Sequence, residues 1–121
     1  MSLDETRVAG SGPQETGRAK TPNAALLVVH APEEGLKGKR FPVGEEDVTL
    51  GREAESTILV ASDQASRRHA RIFLSGGAHV LVDLDSTNGT YLNSKLVKEQ
   101  TLRHGDVLRI ATTVLKYVVE G

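Results

Sequence analysis

The chain has 121 residues, a formal net charge of −1 and no cysteine. This length suits one domain, and the near-neutral charge argues against nucleic acid or an anionic membrane as the partner. The lack of cysteine excludes disulfides, thiolate metal sites and a cysteine nucleophile, and it favours a cytoplasmic location. No apolar run in the sequence approaches the roughly 20 residues that span a bilayer.

Residues 1–23 differ in composition from the remainder of the chain. They are rich in Gly, Pro, Thr and charged residues and contain few apolar side chains. We therefore predict a flexible, disordered tail over this range. Three of its threonines are candidate phosphorylation sites, Thr6 and Thr16 because each follows a glutamate and Thr21 because it precedes a proline.

From residue 24 onwards, short β-type runs alternate with turn residues. The predicted strands are 24–30, 40–43, 47–51, 56–60, 70–75, 78–84, 89–93, 95–97, 106–110 and 113–119. Gly76-Gly77 is a two-residue hairpin signal, and no stretch has a helical period of useful length. About ten short strands at regular spacing predict one all-β sandwich or barrel.

Three polar clusters interrupt the strand pattern, each where a predicted strand meets a loop. They are "GR" at 51–52, "SRRHAR" at 66–71 and "DSTNGT" at 85–90. Because the loops of a β-sandwich collect at its two ends, the clusters can converge in the fold. Most of their side chains are hydrogen-bond donors, which suits an anion better than a cation.

Each side chain of these clusters also has an ordinary structural explanation. Arg52 by itself is typical of a solvated charge, and Ser66 of a residue that opens a turn. Asn88-Gly89 is one of the commonest turn dipeptides, in which glycine permits a positive φ. His69, at the head of a strand, is typical of a hydrogen-bonded structural histidine. The functional interpretation therefore depends on the joint occurrence of the clusters, in this order.

Taken together, the clusters resemble the forkhead-associated (FHA) domain. The matching residues are Gly51-Arg52, Ser66-Arg67-Arg68-His69, Ser86-Thr87-Asn88-Gly89-Thr90 and Gly105-Asp106-Val107. The resemblance covers residues 24–119 and implies an FHA-like sandwich of about eleven mostly antiparallel strands that binds phosphothreonine peptides. It implies no enzymatic activity, no cofactor and no metal.

The resemblance also implies a role for each side chain that matches the family pattern. Arg52 would bond the phosphate directly, and Ser66 would donate its hydroxyl to a phosphate oxygen. Arg67 would add a second contact to the phosphate or to the peptide backbone. Thr87 would shape the pocket for the threonine methyl group, and Asn88 would hold the peptide main chain.

Four further expectations concern the structural residues, the specificity, the assembly and the regulation of the domain. Gly51, His69 and Gly89 would be structural residues that shape the loops without touching the ligand. Gln64 would influence the residue preferred three positions after the phosphothreonine. The domain would act as an adaptor in Ser/Thr-kinase signalling, either as a monomer or as one part of a larger multidomain protein. A phosphorylated Thr6 would fold back into the domain's own site, or a neighbour's, and regulate it.

Four other interpretations remain open from the residues alone. A hydrolase would use Ser66, His69 and either Asp83 or Asp85, but the sequence has no G-x-S-x-G elbow. A nucleic-acid site would use the arginines of "SRRHAR", with few aromatic side chains for base stacking. A structural or carbohydrate-binding β-sandwich without phosphopeptide recognition is the main alternative. A metal site would draw on histidines whose spacing matches no zinc pattern: His30, His69, His79 and His104.

Overall fold

The computed structural model describes residues 21–32 and 35–120, and all regular structure within these ranges is β-strand. Nothing in this part of the chain is a helix long and apolar enough to cross a membrane. The strands are β1 (Ala24–His30), β2 (Arg40–Val43), β3 (Val48–Gly51), β4 (Ile58–Leu59), β5 (Ala70–Ser75), β6 (Ala78–Asp83), β7 (Thr90–Leu92), β8 (Lys95–Val97), β9 (Glu99–Thr101), β10 (Val107–Ile110) and β11 (Thr113–Val119). The predicted tail lies almost entirely outside the described residues, as do Thr6 and Thr16.

The strands form two sheets that pack face to face. The six-stranded sheet has the order β2-β1-β11-β10-β7-β8, and the five-stranded sheet has the order β4-β3-β5-β6-β9. The short pair β3–β4 is parallel, whereas the other described pairs in both sheets are antiparallel. The predicted all-β sandwich of mostly antiparallel strands is therefore confirmed.

The core lies between the two sheets and is mostly aliphatic. Leu26 of β1, Leu50 of β3 and Leu115 of β11 are fully buried, because alternate residues of each strand face inwards. His79 is also buried in this core. Its Nε2–H donates to the Gly44 carbonyl at 2.9 Å, and its Nδ1 accepts from the Tyr117 hydroxyl at 2.7 Å. Both ring nitrogens of His79 are thus engaged in structural hydrogen bonds.

The strand bounds differ from the predicted ones mainly at the edges of the five-stranded sheet. β4 has only two residues instead of the five predicted at 56–60. β9 was not predicted, because its residues Glu99, Gln100 and Thr101 are all polar and exposed. An edge strand of this kind has no apolar face, so it lacks the alternation by which strands are detected in a sequence.

Candidate functional site

The site lies at one end of the sandwich, where β3 and β6 end and β5 and β7 begin. Since β5 pairs antiparallel with both β3 and β6, the C-terminal ends of β3 and β6 meet the N-terminal end of β5. The loops after β3 and β6 and the loop before β5 are therefore neighbours. This topology brings the three polar clusters of the sequence to the same end.

Gly51 permits a close approach between the end of β3 and the loop before β5. A Cβ atom at this position would lie 2.1 Å from the Arg67 carbonyl oxygen, which no side chain tolerates. The two segments are joined by backbone hydrogen bonds on either side of this contact, from Arg52 N–H to the Ser66 carbonyl and from His69 N–H to the Leu50 carbonyl, both 3.0 Å long. Only glycine, which has no Cβ atom, therefore fits at this position.

The guanidinium group of Arg52 is oriented by the neighbouring loop. Its Nε–H donates to the Ala65 carbonyl at 3.1 Å. That bond leaves the Nη donors of Arg52 with no hydrogen-bond partner among the described residues. The side chain is exposed overall, so these donors are available to a ligand in the fork geometry that suits phosphate.

Ser66 connects the loop before β5 to the loop after β6. Its Oγ accepts a hydrogen bond from the Thr87 backbone N–H at 3.0 Å. Since that contact uses an oxygen lone pair, the hydroxyl proton of Ser66 remains available for donation to a ligand.

His69 is fully buried and connects the same two loops on the side that faces the core. Its Nδ1 accepts from the Ser66 backbone N–H at 3.0 Å, which requires the tautomer with hydrogen on Nε2. Nε2–H then donates to the Gly89 carbonyl at 2.8 Å. One imidazole ring therefore fixes the distance between Ser66 and Gly89.

Asp83, at the end of β6, anchors the loop that carries Asn88. Its carboxylate accepts from the Ser86 backbone N–H at 3.1 Å, the Ser86 hydroxyl at 2.5 Å and the Thr90 hydroxyl at 2.7 Å. Burial raises the pKa of Asp83, but the hydrogen bonds from Ser86 and Thr90, together with the nearby His69, outweigh it and leave the pKa below its ordinary value. Asp83 is therefore a buried anion held by the loop.

The Asn88 side chain is fixed by hydrogen bonds to Gln64. Its Nδ2 donates to the Gln64 backbone carbonyl at 2.8 Å and lies 3.3 Å from Gln64 Oε1. Because a backbone carbonyl can only accept a hydrogen bond, the amide atom of Asn88 that faces Gln64 must be the nitrogen. The Asn88 Oδ1 atom therefore remains as an acceptor for a ligand. Gly89 follows with φ of 90°, a conformation that glycine adopts without strain.

The three loops enclose an open pocket of about 650 Å³. Among the charged groups at this pocket, Arg68 Nε lies 3.4 Å from Glu53 Oε2. Arg52 and Arg67 form no ion pair with any described residue. Within the described part of the chain, the pocket therefore presents two unpaired cations, Arg52 and Arg67, and one unpaired anion, Asp63, so its lining has a net positive charge. Its lining residues are Arg52, Glu53, Asp63, Gln64, Ala65, Ser66, Arg67, Arg68, Thr87 and Asn88.

The sequence pattern of the FHA domain matches residues 48–111, which is more than half of the chain. The chain belongs to the FHA family. The match begins at β3 and ends just after β10, so it includes all the loops of the site.

Two curated relatives extend this FHA similarity beyond the matched range. The oxoglutarate dehydrogenase inhibitor of Corynebacterium efficiens is 38% identical over 110 residues, which cover 89% of this chain and 75% of the relative. FhaB of Mycobacterium tuberculosis, an FHA domain-containing protein, is 38% identical over 94 residues, which cover 77% of this chain and 59% of FhaB.

A solved FHA structure shares the fold. It comes from work on phosphothreonine-dependent FHA domain interactions and superposes with a TM-score of 0.71 at 28% identity. The superposition covers 82% of this chain and 98% of the solved chain. The sandwich of this FHA domain is thus the common one of the family.

The FHA fold brings together all five residues predicted to bind the phosphopeptide. Arg52, Ser66, Arg67, Thr87 and Asn88 line the same pocket, as does the predicted specificity residue Gln64. The predicted structural residues Gly51, His69 and Gly89 lie directly beneath it. Thr21 lies elsewhere, with its hydroxyl 3.5 Å from Glu45 Oε2.

Sequence reasoning missed two features of the FHA pocket. Asp83 was considered only as a catalytic acid, whereas its carboxylate anchors the Asn88 loop. An acidic residue three positions before a serine at a strand end is a signal for such a turn. The pairing of Glu53 with Arg68 had no comparable signal, because the two residues meet only in the folded chain.

The geometry bears on two of the alternative interpretations. Both ring nitrogens of His69 bond to backbone groups, so the ring is not positioned to take a proton from the Ser66 hydroxyl. Within residues 21–32 and 35–120, no group of histidines and carboxylates could hold a metal ion.

Proposed function

We propose that this FHA domain binds phosphothreonine peptides in the pocket formed by its three loops. The observation that carries the proposal is the convergence of Arg52, Ser66 and Arg67 on one pocket, with two arginines that lack an acidic partner among the described residues. A phosphothreonine supplies a charge of about −1.5 to −2 and three acceptor oxygens. The donors of the pocket complement these properties.

The phosphate would be held by charge-assisted hydrogen bonds. The Nη atoms of Arg52 donate to two phosphate oxygens, and the Ser66 hydroxyl donates to one of them. Arg67 adds a contact to the phosphate or to the peptide backbone. Hydrogen bonds that involve a charged group each contribute about 1.5–3 kcal/mol.

The remaining pocket residues would hold the peptide around the phosphothreonine. Asn88 Oδ1 accepts from a peptide N–H, since Nδ2 is already bonded to Gln64. Thr87 borders the space for the threonine methyl group. Gln64, fixed against Asn88, contacts a residue after the phosphothreonine and influences which side chain is preferred there.

The domain would act as an adaptor that recognises proteins phosphorylated by a Ser/Thr kinase. The phosphothreonine-dependent interactions studied in the solved FHA structure support this role. The relative in Corynebacterium efficiens, named as an enzyme inhibitor, supports regulation by binding. A monomeric state and the cytoplasmic location expected from the sequence stay predictions.

Two other kinds of ligand suit the pocket less well. A carbohydrate site favours aromatic platforms, whereas the lining of this pocket contains no aromatic side chain among the described residues. A nucleic-acid site would use Arg71 of the "SRRHAR" cluster, but Arg71 pairs with Asp47 and lies over the Phe73 ring, outside the pocket.

The test is isothermal titration calorimetry with a phosphothreonine peptide selected from an oriented library. We expect Arg52→Ala to weaken binding at least tenfold, because it removes charge-assisted bonds and about 1.4 kcal/mol corresponds to one decade. Ser66→Ala should weaken binding as well, and both variants should remain folded.

Matched controls distinguish this site from general effects of charge or polarity. Arg103→Ala and Ser75→Ala remove the same side chains from exposed positions that do not line the pocket. Both controls should bind like the wild type, and the unphosphorylated peptide should not bind. Undiminished binding by Arg52→Ala and Ser66→Ala would contradict the proposed function.

Self-regulation by the N-terminal segment is a second proposal for the same pocket. Seventeen residues separate Thr6 from the start of β1, and a chain of this length reaches up to about 60 Å. At the millimolar effective concentration of a tethered ligand, phosphorylated Thr6 would compete with a partner peptide. Protein phosphorylated at Thr6 should bind the library peptide more weakly than its Thr6→Ala variant treated with the same kinase, and equal binding would exclude self-regulation.

A further inference from the structure

Beside the pocket, the outer face of the six-stranded sheet carries a continuous row of side chains on four neighbouring strands. Leu96 of β8 is paired with Tyr91 of β7, Tyr91 with Arg109 of β10, and Arg109 with Val114 of β11. The residues that flank Tyr91, Arg109 and Val114 along their strands, such as Leu92 and Leu108, are buried in the core. The row, called here the Leu96 row, therefore faces outwards.

Two large apolar side chains in or next to the Leu96 row are exposed to solvent. Leu96 is 63% exposed, and Val107, next to the row on β10, is 36% exposed. The Arg109 guanidinium lies 4.3 Å from the centre of the Tyr91 ring. Leu96 and the partly exposed Tyr91 are neighbours in the row, and adjacent apolar side chains that reach solvent mark interaction sites more often than isolated ones do.

The row is continuous with the phosphopeptide pocket. Leu96 Cδ1 lies 2.5 Å from the position that a Cβ on Gly89 would occupy, so Leu96 packs directly over the Gly89 backbone. The preceding residue, Asn88, lines the pocket. A peptide that leaves the pocket past the Asn88–Gly89 turn would therefore pass close to Leu96.

The charges beside the row indicate what kind of segment it fits. Arg109 lies in the row and Lys116 beside it, paired with Val107. Neither forms an ion pair with any described residue. A complementary segment would combine aliphatic side chains with acidic ones.

We propose that the Leu96 row binds an acidic and aliphatic segment of the same partner chain that carries the phosphothreonine. This inference rests on the proposed function of the pocket and extends it. Four strands at a spacing of about 4.8 Å make the row about 14 Å long, which an extended segment covers with four or five residues. The segment binds weakly by itself, and its contribution arises because the phosphothreonine tethers it at millimolar effective concentration.

The test compares one short phosphothreonine peptide with extended versions of it. The extensions have about ten residues of alternating Leu and Glu, a length that covers the row and the gap to the pocket, added at either the N- or the C-terminus. A Gly/Ser extension of equal length serves as the peptide control. We expect one Leu/Glu extension to lower the Kd at least tenfold and the Gly/Ser extension to leave it unchanged.

Two variants and one control variant test whether the Leu96 row causes this gain in affinity. Leu96→Ser should reduce the gain in affinity to less than threefold, measured against the Kd of the short peptide for the same variant. Arg109→Gln should reduce it in part, most clearly at low salt. Leu59→Ser removes a leucine of comparable exposure from β4, at the opposite edge of the sandwich, and should keep the full gain.

Two results would overturn the proposal. One is the lack of any gain above the Gly/Ser control from either Leu/Glu extension. The other is a gain that survives in Leu96→Ser. Failure of the pocket itself is distinguishable, because the short phosphothreonine peptide would then not bind the wild-type domain at all.

Discussion

At the scale of single residues, the pocket depends on side chains and backbone that need not touch a ligand. Gly51 lets the loop before β5 approach β3, and the buried His69 ring joins that loop to the Gly89 carbonyl. The donors of Arg52 and Ser66 are positioned only because these contacts exist. Changes beneath the pocket should therefore affect both stability and binding, whereas changes in its exposed lining should affect mainly binding.

Gly51→Ala provides a test of this distinction. The added Cβ would overlap the Arg67 carbonyl oxygen, so the loop must move, and overpacking of this kind costs about 1–3 kcal/mol. We expect the free energy of unfolding, measured with urea, to fall by at least about 2 kcal/mol, with loss of phosphopeptide binding. Gly44→Ala is the control, since a Cβ there meets no atom within 4 Å. Equal stability of the two variants would show that the close approach is unimportant.

At the scale of strands and loops, strands that contain apolar residues are predicted from the sequence, whereas a strand of polar residues is missed. β5 and β11 have the predicted bounds because buried residues alternate along them, and β1 has them because it is a short, mostly buried apolar run. β9 has three exposed polar residues and offers no such pattern. The polar clusters at strand ends predicted which residues line the pocket. The hydrogen bonds that orient these side chains had no local signal in the sequence. Ser66 Oγ, for example, bonds to Thr87, 21 residues away.

The ionisation of Asp83, which anchors the loop between β6 and β7, makes the stability of the fold depend on pH. Since the pKa of Asp83 is lowered in the folded chain, the ionised carboxylate stabilises the fold above the unfolded pKa of about 3.9. That stabilisation is lost as the pH falls through the folded value, because protonation then weakens the hydrogen bonds from Ser86 and Thr90.

Replacement of Asp83 by asparagine tests this anchor. In Asp83→Asn an amide N–H₂ would face the Ser86 N–H or hydroxyl, and we expect a loss of about 1–3 kcal/mol in unfolding free energy at pH 7. The variant should also lose part of the wild-type decrease in stability between pH 5 and pH 3. Asp85→Asn is the matched control, because Asp85 is exposed and its φ of 55° suits asparagine equally. An unchanged pH profile in Asp83→Asn would refute the anchoring role.

At the scale of the whole molecule, the local charge of the pocket opposes the overall charge. The chain carries a net charge of −1, yet Arg52 and Arg67 face the pocket without an acidic partner among the described residues. A long polyanion would meet an unfavourable or neutral field over most of the surface. A single phosphate is small enough to be affected mainly by the positive field of the pocket.

This difference predicts how binding depends on salt. Because the contacts to one phosphate are short hydrogen bonds that are screened little, the Kd of the library peptide should rise by less than about fivefold between 50 and 500 mM salt. Short DNA oligonucleotides should not bind at either concentration. If the pocket belonged to a nucleic-acid surface with three phosphate contacts, DNA would bind with a log–log salt slope of about −3. Fluorescence anisotropy with labelled peptide and DNA separates the two, and such a slope for DNA would shift the assignment of the arginines from phosphothreonine to nucleic acid.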